Sequence, residues 1–579
     1  MSLRIAGSIA QSALRSSEVG MAVASSNVAN ADTAGYTRKT ANVTTYDTAV
    51  GSTAVQTASI SSAVNNALLK TMIGAQSDLG FADVRNSYLD QLQSSLGSTD
   101  SDGTLAAAID DLSDVTSTLA TSPESESAKS AVVNNLETVA SELRTASSTV
   151  QDLRDQADED IATTVDRING TLTTIDDLND RIAKAKGLGQ DTTDLEDQRA
   201  EALKTLSEDI PITYQTDSNG KVRVSTSSGQ ALVDSSVHTL SYTPAASVSA
   251  STTYASGGFQ GIMLDGEDIT GSVKSGTLGG LIQLRDTDLP AQQAALDELA
   301  TTLMDQLNSV ANDGTAAPPP NSLTGTTTVS GSDAFSGTGT LRVAVTDSDG
   351  NAVEVLDLDL SAYSTVDDVV AAIDGMANLS ASVAADGTLT IQADNAGYGV
   401  ALGGDDDAVG AAGESFSAAF GLNDLLTGTG ASDIKVSPAL AADTSRLPTA
   451  TLSTTAGLTV GDNAVASGDG TTAQALKAAF SATVSFDAAG TLSARSATLS
   501  GYAGAVVQAA ATAADTAASA YDDQELYTES LASTFASQSG VNVDEETAAI
   551  SQLQTAYEAA AAVFKVVREM FDTALDMVQ

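Results

Sequence analysis

Residues 550–579 read ISQLQTAYEAAAAVFKVVREMFDTALDMVQ, and one spacing runs through them. Ile550, Leu553, Tyr557, Ala560, Phe564, Val567, Phe571, Ala574 and Val578 recur at alternating steps of three and four. That spacing lays an apolar seam along a helix and codes for supercoiling against a partner helix. Just upstream stand Asp544, Glu545 and Glu546. Their charge suits the positive end of a helix, and Asp544 is the expected N-cap. The same pattern fits an ordinary amphipathic helix packed on its own domain, so spacing alone does not name the partner.

The other end of the chain carries a matching, weaker seam. Leu3, Gly7, Ala10, Leu14, Ser17, Met21, Ala24 and Val28 are spaced four and three in turn. Many are small, so a partner helix can approach closely. A helix burying so few large side chains is marginal by itself. Two seams at opposite ends predict that the ends pair with each other. Both termini then sit at one end of the molecule and the middle of the chain at the far end.

Between them the period changes several times. Ser122 as cap, Pro123 at the first helical position and Glu124 and Glu126 in the first turn predict a helix start. From Leu136 through Leu143, Val150, Ile161, Ile168 and Ile175 to Ile182, apolar residues keep a helical period until Gly187-Leu188-Gly189. A helix of about 60 residues would be about 90 Å long, which suits a rod. Shorter helices are expected at 105–119, 192–206 and 289–311. From Ile210 the period is two, with strands at 221–226 and 231–233 joined by turns such as Asn219-Gly220. Pro318-Pro319-Pro320 and the Thr/Gly/Ser-rich run 322–340 predict a linker. Residues 335–495 alternate as strands, with hairpin turns at Asp349-Gly350 and Asp386-Gly387 and one short helix at 366–373. Helical, Ala-rich sequence returns after Leu499. The expected class is α+β: an elongated, multi-domain chain with a coiled-coil-like helical base made by both ends and inserted β-rich outer domains. The expected division is 1–35 with 545–579 as a terminal helical unit. Residues 36–209 with 285–320 and 497–544 would be a long-helix rod, 210–284 a small β-rich domain and 321–496 a β-rich outer domain.

Composition narrows the functions. The 579 residues hold 26 Lys+Arg against 75 Asp+Glu, a net charge of −49. Such length implies about four domains at roughly 150 residues each. With 42% hydrophobic but only 4% aromatic residues, the cores are Ala-rich and helical. Nucleic-acid and anionic-membrane binding need clustered Lys and Arg, which this chain lacks. No Cys is present, which removes disulfides, thiolate metal sites and Cys nucleophiles. The single His, His238, makes His-based metal clusters and Ser/His/Asp triads untenable, and a surface or lightly packed position is expected for it. Gly7, Ser8, Gln11 and Ser12 interrupt the first apolar stretch, so no cleaved signal peptide is expected. No apolar run reaches membrane-spanning length.

Candidate chemical motifs fail individually. Asp347-x-Asp349-x-Asn351 opens like a calcium loop, but Ala352 and Leu358 stand where that loop needs Gly and Glu. A hairpin turn is the better reading. Gly403-Gly404-Asp405-Asp406-Asp407 reads as a solvated acidic loop. Asp110-Asp111 and Asp176-Asp177 are adjacent on helices and diverge, unlike a glycosidase pair. No catalytic, cofactor or metal residue is assigned, and no enzyme is expected.

One segment remains, after the first helix: Ser26-Asn27-Val28-Ala29-Asn30-Ala31-Asp32-Thr33-Ala34-Gly35-Tyr36-Thr37-Arg38-Lys39. Asn30 and Asp32 can satisfy backbone groups where a helix ends, Gly35 permits a left-handed turn, and Tyr36 is a scarce aromatic anchor. Through Asn27, Asn30, Thr33, Gly35 and Tyr36 it resembles the N-x-A-N-x-x-T-x-G-Y signature of the bacterial flagellar rod, hook and hook-associated proteins. The continuation through Arg38 is similar to the hook-associated protein 1 branch, although Ala34 replaces the family's usual Pro. Further similar stretches are Leu195-Glu196-Asp197-Gln198-Arg199, residues 275–286, and residues 539–546 with Gln554, Tyr557 and Ala559. Together they cover about 1–315 and 500–579.

The resemblance implies a structural axial protein, exported without a cleaved signal to the extracellular flagellum as the hook–filament junction adaptor. It implies terminal segments that order only on assembly, as paired inner helices of a hollow tube, with the interface on Leu3, Leu14, Met21, Val28, Ile550, Leu553, Tyr557, Phe564, Val567 and Phe571. Implied partners are the hook protein, the next hook-associated protein, sister copies in a ring and an export chaperone on the C-terminal helix. Cofactors, nucleic acid and membrane are not expected. The competing readings are another axial subunit, of hook or rod, and a secreted β-rich adhesin or surface enzyme.

Overall fold

In the computed structural model, residues 3–33, 35–47, 53–97, 104–404 and 406–577 are described. Ala34, Asp405 and Val578, named above, lie outside them. The chain folds as an elongated α+β molecule. Its helices are α1 (Leu3–Ala29), α2 (Asn66–Leu96), α3 (Leu105–Thr121), α4 (Glu126–Gly187), α5 (Thr193–Asp209), α6 (Gly276–Gln283) and α7 (Leu289–Asn312). Short helices α8 (Val366–Asp374), α9 (Phe416–Phe420), α10 (Pro438–Ala442) and α11 (Thr471–Ser481) precede the long α12 (Leu499–Ser539) and α13 (Val543–Asp576).

The axis of the molecule is α4, unbroken over 62 residues. Its apolar row, including Leu143, Val150, Ile161, Ile168 and Ile175, is sealed from solvent by α2, α3, α5 and α7. Residue choice makes this stable: these side chains recur at helical spacing, and each buried one contributes about 1.5–3 kcal/mol. The start differs from the sequence expectation. Ser122 closes α3, its N–H reaching Leu119 O and Thr118 O, and Pro123 sits in the following turn. Ser125 is the true N-cap of α4, accepting from Ala128 N. Pro123 thus breaks the chain between two helices, which its missing N–H allows equally well.

Mid-rod, a buried charge cluster fastens the 242–252 segment of the small β domain to α4. Arg285 donates to Asp158 at 2.9 Å, to Tyr242 at 2.6 Å and twice to Asp286 at 2.8 Å. Arg154 donates from Nε to the carbonyl of Arg285 at 3.1 Å and from Nη1 to Ser249 at 3.0 Å. Asp158 and Arg285 are almost wholly buried, so each needs the other.

The first strands, β1 (Lys39–Asp47) and β2 (Thr53–Ser62), form an antiparallel hairpin that the sequence reading did not foresee. In the small β domain β3 (Ile212–Thr216), β4 (Val222–Thr226) and β5 (Ala231–Val233) form one sheet. Beyond α7, the expected linker 322–340 instead holds β9 (Ser322–Thr328), with β6 to β8 being the two-residue strands at 240–241, 263–264 and 267–268. Strands at 340–346, 352–359 and 399–403 make one sheet; in another the strand at 388–393 lies between β9 and the strand at 379–383. Thr-rich β9 is tied down because Leu323 is buried in the apolar core shared by these sheets. Besides α8, the helices α9, α10 and α11 also lie in the stretch expected to hold one. Asp347 accepts from Asp349 N at 3.0 Å and Asn351 N at 2.9 Å, closing the hairpin turn.

Candidate assembly site at the joined chain ends

Helices α1 and α13 lie against each other and run antiparallel. Gly7 faces Val567, whereas Gly20, further along α1, faces the earlier Leu553. A Cβ on Gly20 would come 3.1 Å from Leu553 Cδ1, so this glycine sets how closely the helices approach. Ala10, Ser17 and Ala24 are the buried line of α1. Opposite them, Ala560 and Val567 are buried, with Leu553 and Ala574 half-buried. Each line recurs every seventh residue.

Only half of the seam on α13 is therefore covered. Tyr557, Phe564 and Phe571, on the alternate positions, are 39%, 38% and 36% exposed. Ile550 is half-buried, as are Leu3, Leu14, Met21 and Val28 on α1. Beside the aromatic row, Val563, Val566 and Met570 are each more than half exposed. Two helices meeting along small residues can bury one line of side chains, and the larger ones are left for other neighbours.

The motif after α1 forms the joint. Asn30 Nδ2 donates to Ser26 O at 2.9 Å, ending the helix, and Thr33 N donates back to Asn30 O at 3.0 Å. Gly35 turns the chain at φ 75°, where a side chain would also crowd Glu201. Tyr36 O–H donates to Asn27 Oδ1 at 3.0 Å. Asn27, fully buried, also accepts from Lys39 N at 3.0 Å and donates to Lys39 O at 2.9 Å and Glu546 Oε2 at 3.0 Å. That uses all the hydrogen-bonding capacity of its carboxamide. Arg38 Nε donates to Glu546 Oε1 at 2.7 Å, Nη1 lies 3.2 Å from Glu545, and its backbone N–H donates to Ser539 O at 2.8 Å. Thr37 donates through its backbone N–H and hydroxyl to Asp197 on α5, at 3.2 and 2.6 Å. The Lys39 ammonium lies beside Asp194 and 4.3 Å from the Tyr36 ring centre.

Burial sets the electrostatics. It pushes Lys39 below its ordinary pKa against the pull of Asp197. It lifts the Asp197 carboxyl, which the Thr37 hydrogen bonds oppose, and raises the Tyr36 phenol. The joint thus locks α1, α5, α12 and α13 through directional bonds.

Asn27, Asn30, Thr33, Gly35, Tyr36 and Arg38 come together in this one turn. Sequence reasoning missed Glu546 and Asp197. A signal existed for the first: stepping back seven residues from Leu553 puts Glu546 on the seam, where a carboxylate needs a buried partner. The same reading misplaced the cap of α13. Asn542 caps it, accepting from Asp544 N at 3.0 Å and Glu545 N at 3.3 Å, which frees the acids to bind Arg38. Among the described residues no group of three or more His, Cys, Asp or Glu is placed to hold a metal, and no helix is long and apolar enough to cross a membrane.

Comparison with known proteins places these features. Residues 89–325 match the model of the flagellar hook-associated protein FlgK helical domain. Residues 8–37 match that of the flagella basal body rod protein, and 532–577 that of the flagellar basal body rod FlgEFG protein C-terminal. Flagellar hook-associated protein 1 of Escherichia coli (strain K12) is 23% identical over 309 residues, covering 52% of this chain and 56% of that protein. The Bacillus subtilis (strain 168) protein of that name is 27% identical over 219 residues, 35% of this chain and 43% of its own. The chain spans about half the length of the curated relatives it matches. The solved flagellar hook junction protein FlgK from Burkholderia pseudomallei aligns at 18% identity with a TM-score of 0.48, over 80% of this chain and 99% of that one. Two rod-protein ends enclosing a hook-associated helical domain are the arrangement described here, and the chain is similar to flagellar hook-associated protein 1.

Proposed function

We propose that this chain is a structural, non-catalytic axial subunit of the bacterial flagellum, forming the adaptor between hook and filament. The observation that carries the reading is the half-covered seam: α13 pairs with α1 yet leaves Tyr557, Phe564 and Phe571 in solvent. A row of large apolar side chains of this kind marks an interaction surface. In a ring of copies, α1 and α13 line a hollow inner tube, and neighbouring α13 helices cover the aromatic row. The terminal unit (1–35 with 545–579) is the inner layer and α4 stands in the surrounding rod. The small β domain (210–284) and the outer domain (321–496) face outward. The hook protein on one side and the next hook-associated protein on the other are the axial partners.

Before assembly the same apolar face of α13 suits an export chaperone, and terminal helices of low intrinsic stability suit passage through a narrow export channel to the cell exterior. The relatives' names support the assignment to the junction rather than to rod or hook. Deletion of 550–579 tests it: hooks should remain, filaments should be lost, and flagellin should appear in the medium. Filaments of normal number and length on that deletion would refute the reading.

A further inference from the structure

The hairpin of β1 and β2 is paired along its whole described length, from Lys39 with Ser62 to Asp47 with Thr53. Among the described residues no third strand joins either edge. Helix α1 lies against part of the hairpin, and much of the remainder is in solvent, with Val43 52% and Tyr46 39% exposed. A solitary two-stranded hairpin is marginally stable, and open edges invite strand addition. Soluble proteins blunt such edges with charge, proline or bulges. Here residues 39–62 contain no proline, and their ionised groups are Lys39, buried at the base, and Asp47, at the far end of β1. The bulge at Asn42/Val43 lies near the base and leaves Val43 to Asp47 in regular register.

Charge identifies the occupant. Residues 1–62 hold four basic and three acidic side chains, a net of +1, in a chain whose total is −49. Two copies approaching through the rod or through the acidic outer domain bring like charge together. Approaching through the hairpin, they do not. We propose that copies of this chain join edge to edge, β1 of one copy pairing with β2 of the next; this rests on the ring assembly proposed above. The geometry is self-consistent. Copies related by rotation about the tube axis carry their hairpins in the same sense, so β1 meets a neighbour's β2 antiparallel. The contact is heterologous, and it closes when the ring closes, leaving no free edge. Each hairpin is then the middle of a continuous antiparallel ribbon rather than an isolated pair of strands.

The chain's lack of cysteine gives a clean test. Thr44 on β1 and Gln56, Ser59 and Ser61 on β2 are exposed and share one face of the hairpin. Full-length Thr44→Cys is mixed with Gln56→Cys, Ser59→Cys or Ser61→Cys, assembled on hooks, oxidised, and run without reductant. A cross-linked dimer is expected in at least one mixture and in none of the four variants assembled alone. Dimers in a variant alone would mean that like edges meet, and would overturn the proposal. So would assembled material with no dimer in any mixture, which would leave the junction role intact. Failure of every variant and of the parent chain to attach to hooks would instead sink the junction reading, and this proposal with it.

Discussion

Asn27 ties four groups together: the N–H and C=O of Lys39, the Tyr36 hydroxyl and the Glu546 carboxylate. Asn27→Ala would strand a buried carboxylate and two backbone groups, a cost of about 3 kcal/mol at the joint. Amide exchange of residues 36–39 and 543–547 should accelerate, while α4 exchanges as before; unchanged exchange at the joint would show that its bonds are dispensable. His238 also lies between carboxylates rather than free on the surface, with Nδ1 2.5 Å from Asp265 and Nε2 3.2 Å from Asp234. Those two acids raise its pKa above the usual value near 6.5. The raised folded value means that its stabilisation is fully present below about pH 6.5 and is lost as pH rises through the folded pKa. The small β domain should therefore loosen on going from pH 6 to about 9, and His238→Gln should abolish that change. An imidazole titration at or below the ordinary value by NMR would contradict this. Asn30 and Gly35 were readable as a helix stop because their roles are local. The partners of Glu546 were not, because they lie about 500 residues away in sequence.

At the scale of elements, the long helices were legible because period and length agree over many residues. Where a boundary has two equivalent solutions the sequence could not choose: Ser122 and Ser125 both precede acidic first turns, and packing of α3 decided for Ser125. The hairpin of β1 and β2 went unseen because Thr and Ser occupy both faces, so no apolar alternation marks it. The strand β9 was hidden in the same way within a Gly/Thr-rich run. Helices α4 and α13 predict opposite mutational responses. Ile168 is completely buried, so Ile168→Ala should destabilise the rod by about 2–5 kcal/mol in thermal unfolding. Phe564 is 38% exposed, and Phe564→Ala should change monomer stability by less than about 0.5 kcal/mol yet strongly impair attachment to hooks. Equal effects of Phe564→Ala on both readouts would mean that α13 serves its own domain.

For the whole molecule the dominant quantity is the charge of −49 per copy. Neighbouring copies repel over a Debye length of about 30 Å at 0.01 M salt and about 10 Å at 0.1 M. Junction formation on isolated hooks should fall steeply below about 0.05 M salt and recover on adding it; assembly indifferent to ionic strength would show that the acidic surfaces stay apart. The same scale separates the two parts of the chain. The rod buries a long row of large aliphatic side chains along α4, whereas α1 and α13 bury few apolar side chains beyond Ala10, Ala24, Ala560 and Val567. So thin a contact adds only a few kcal/mol against the entropy of ordering two helices. Hydrogen–deuterium exchange on the full chain, dilute and then assembled on hooks, measures this difference directly. Rapid exchange is expected across 3–29 and 543–576 in the dilute chain, slow exchange across most of α4, and protection of both end segments after assembly. Full protection of both end segments in the dilute, monomeric chain would contradict this.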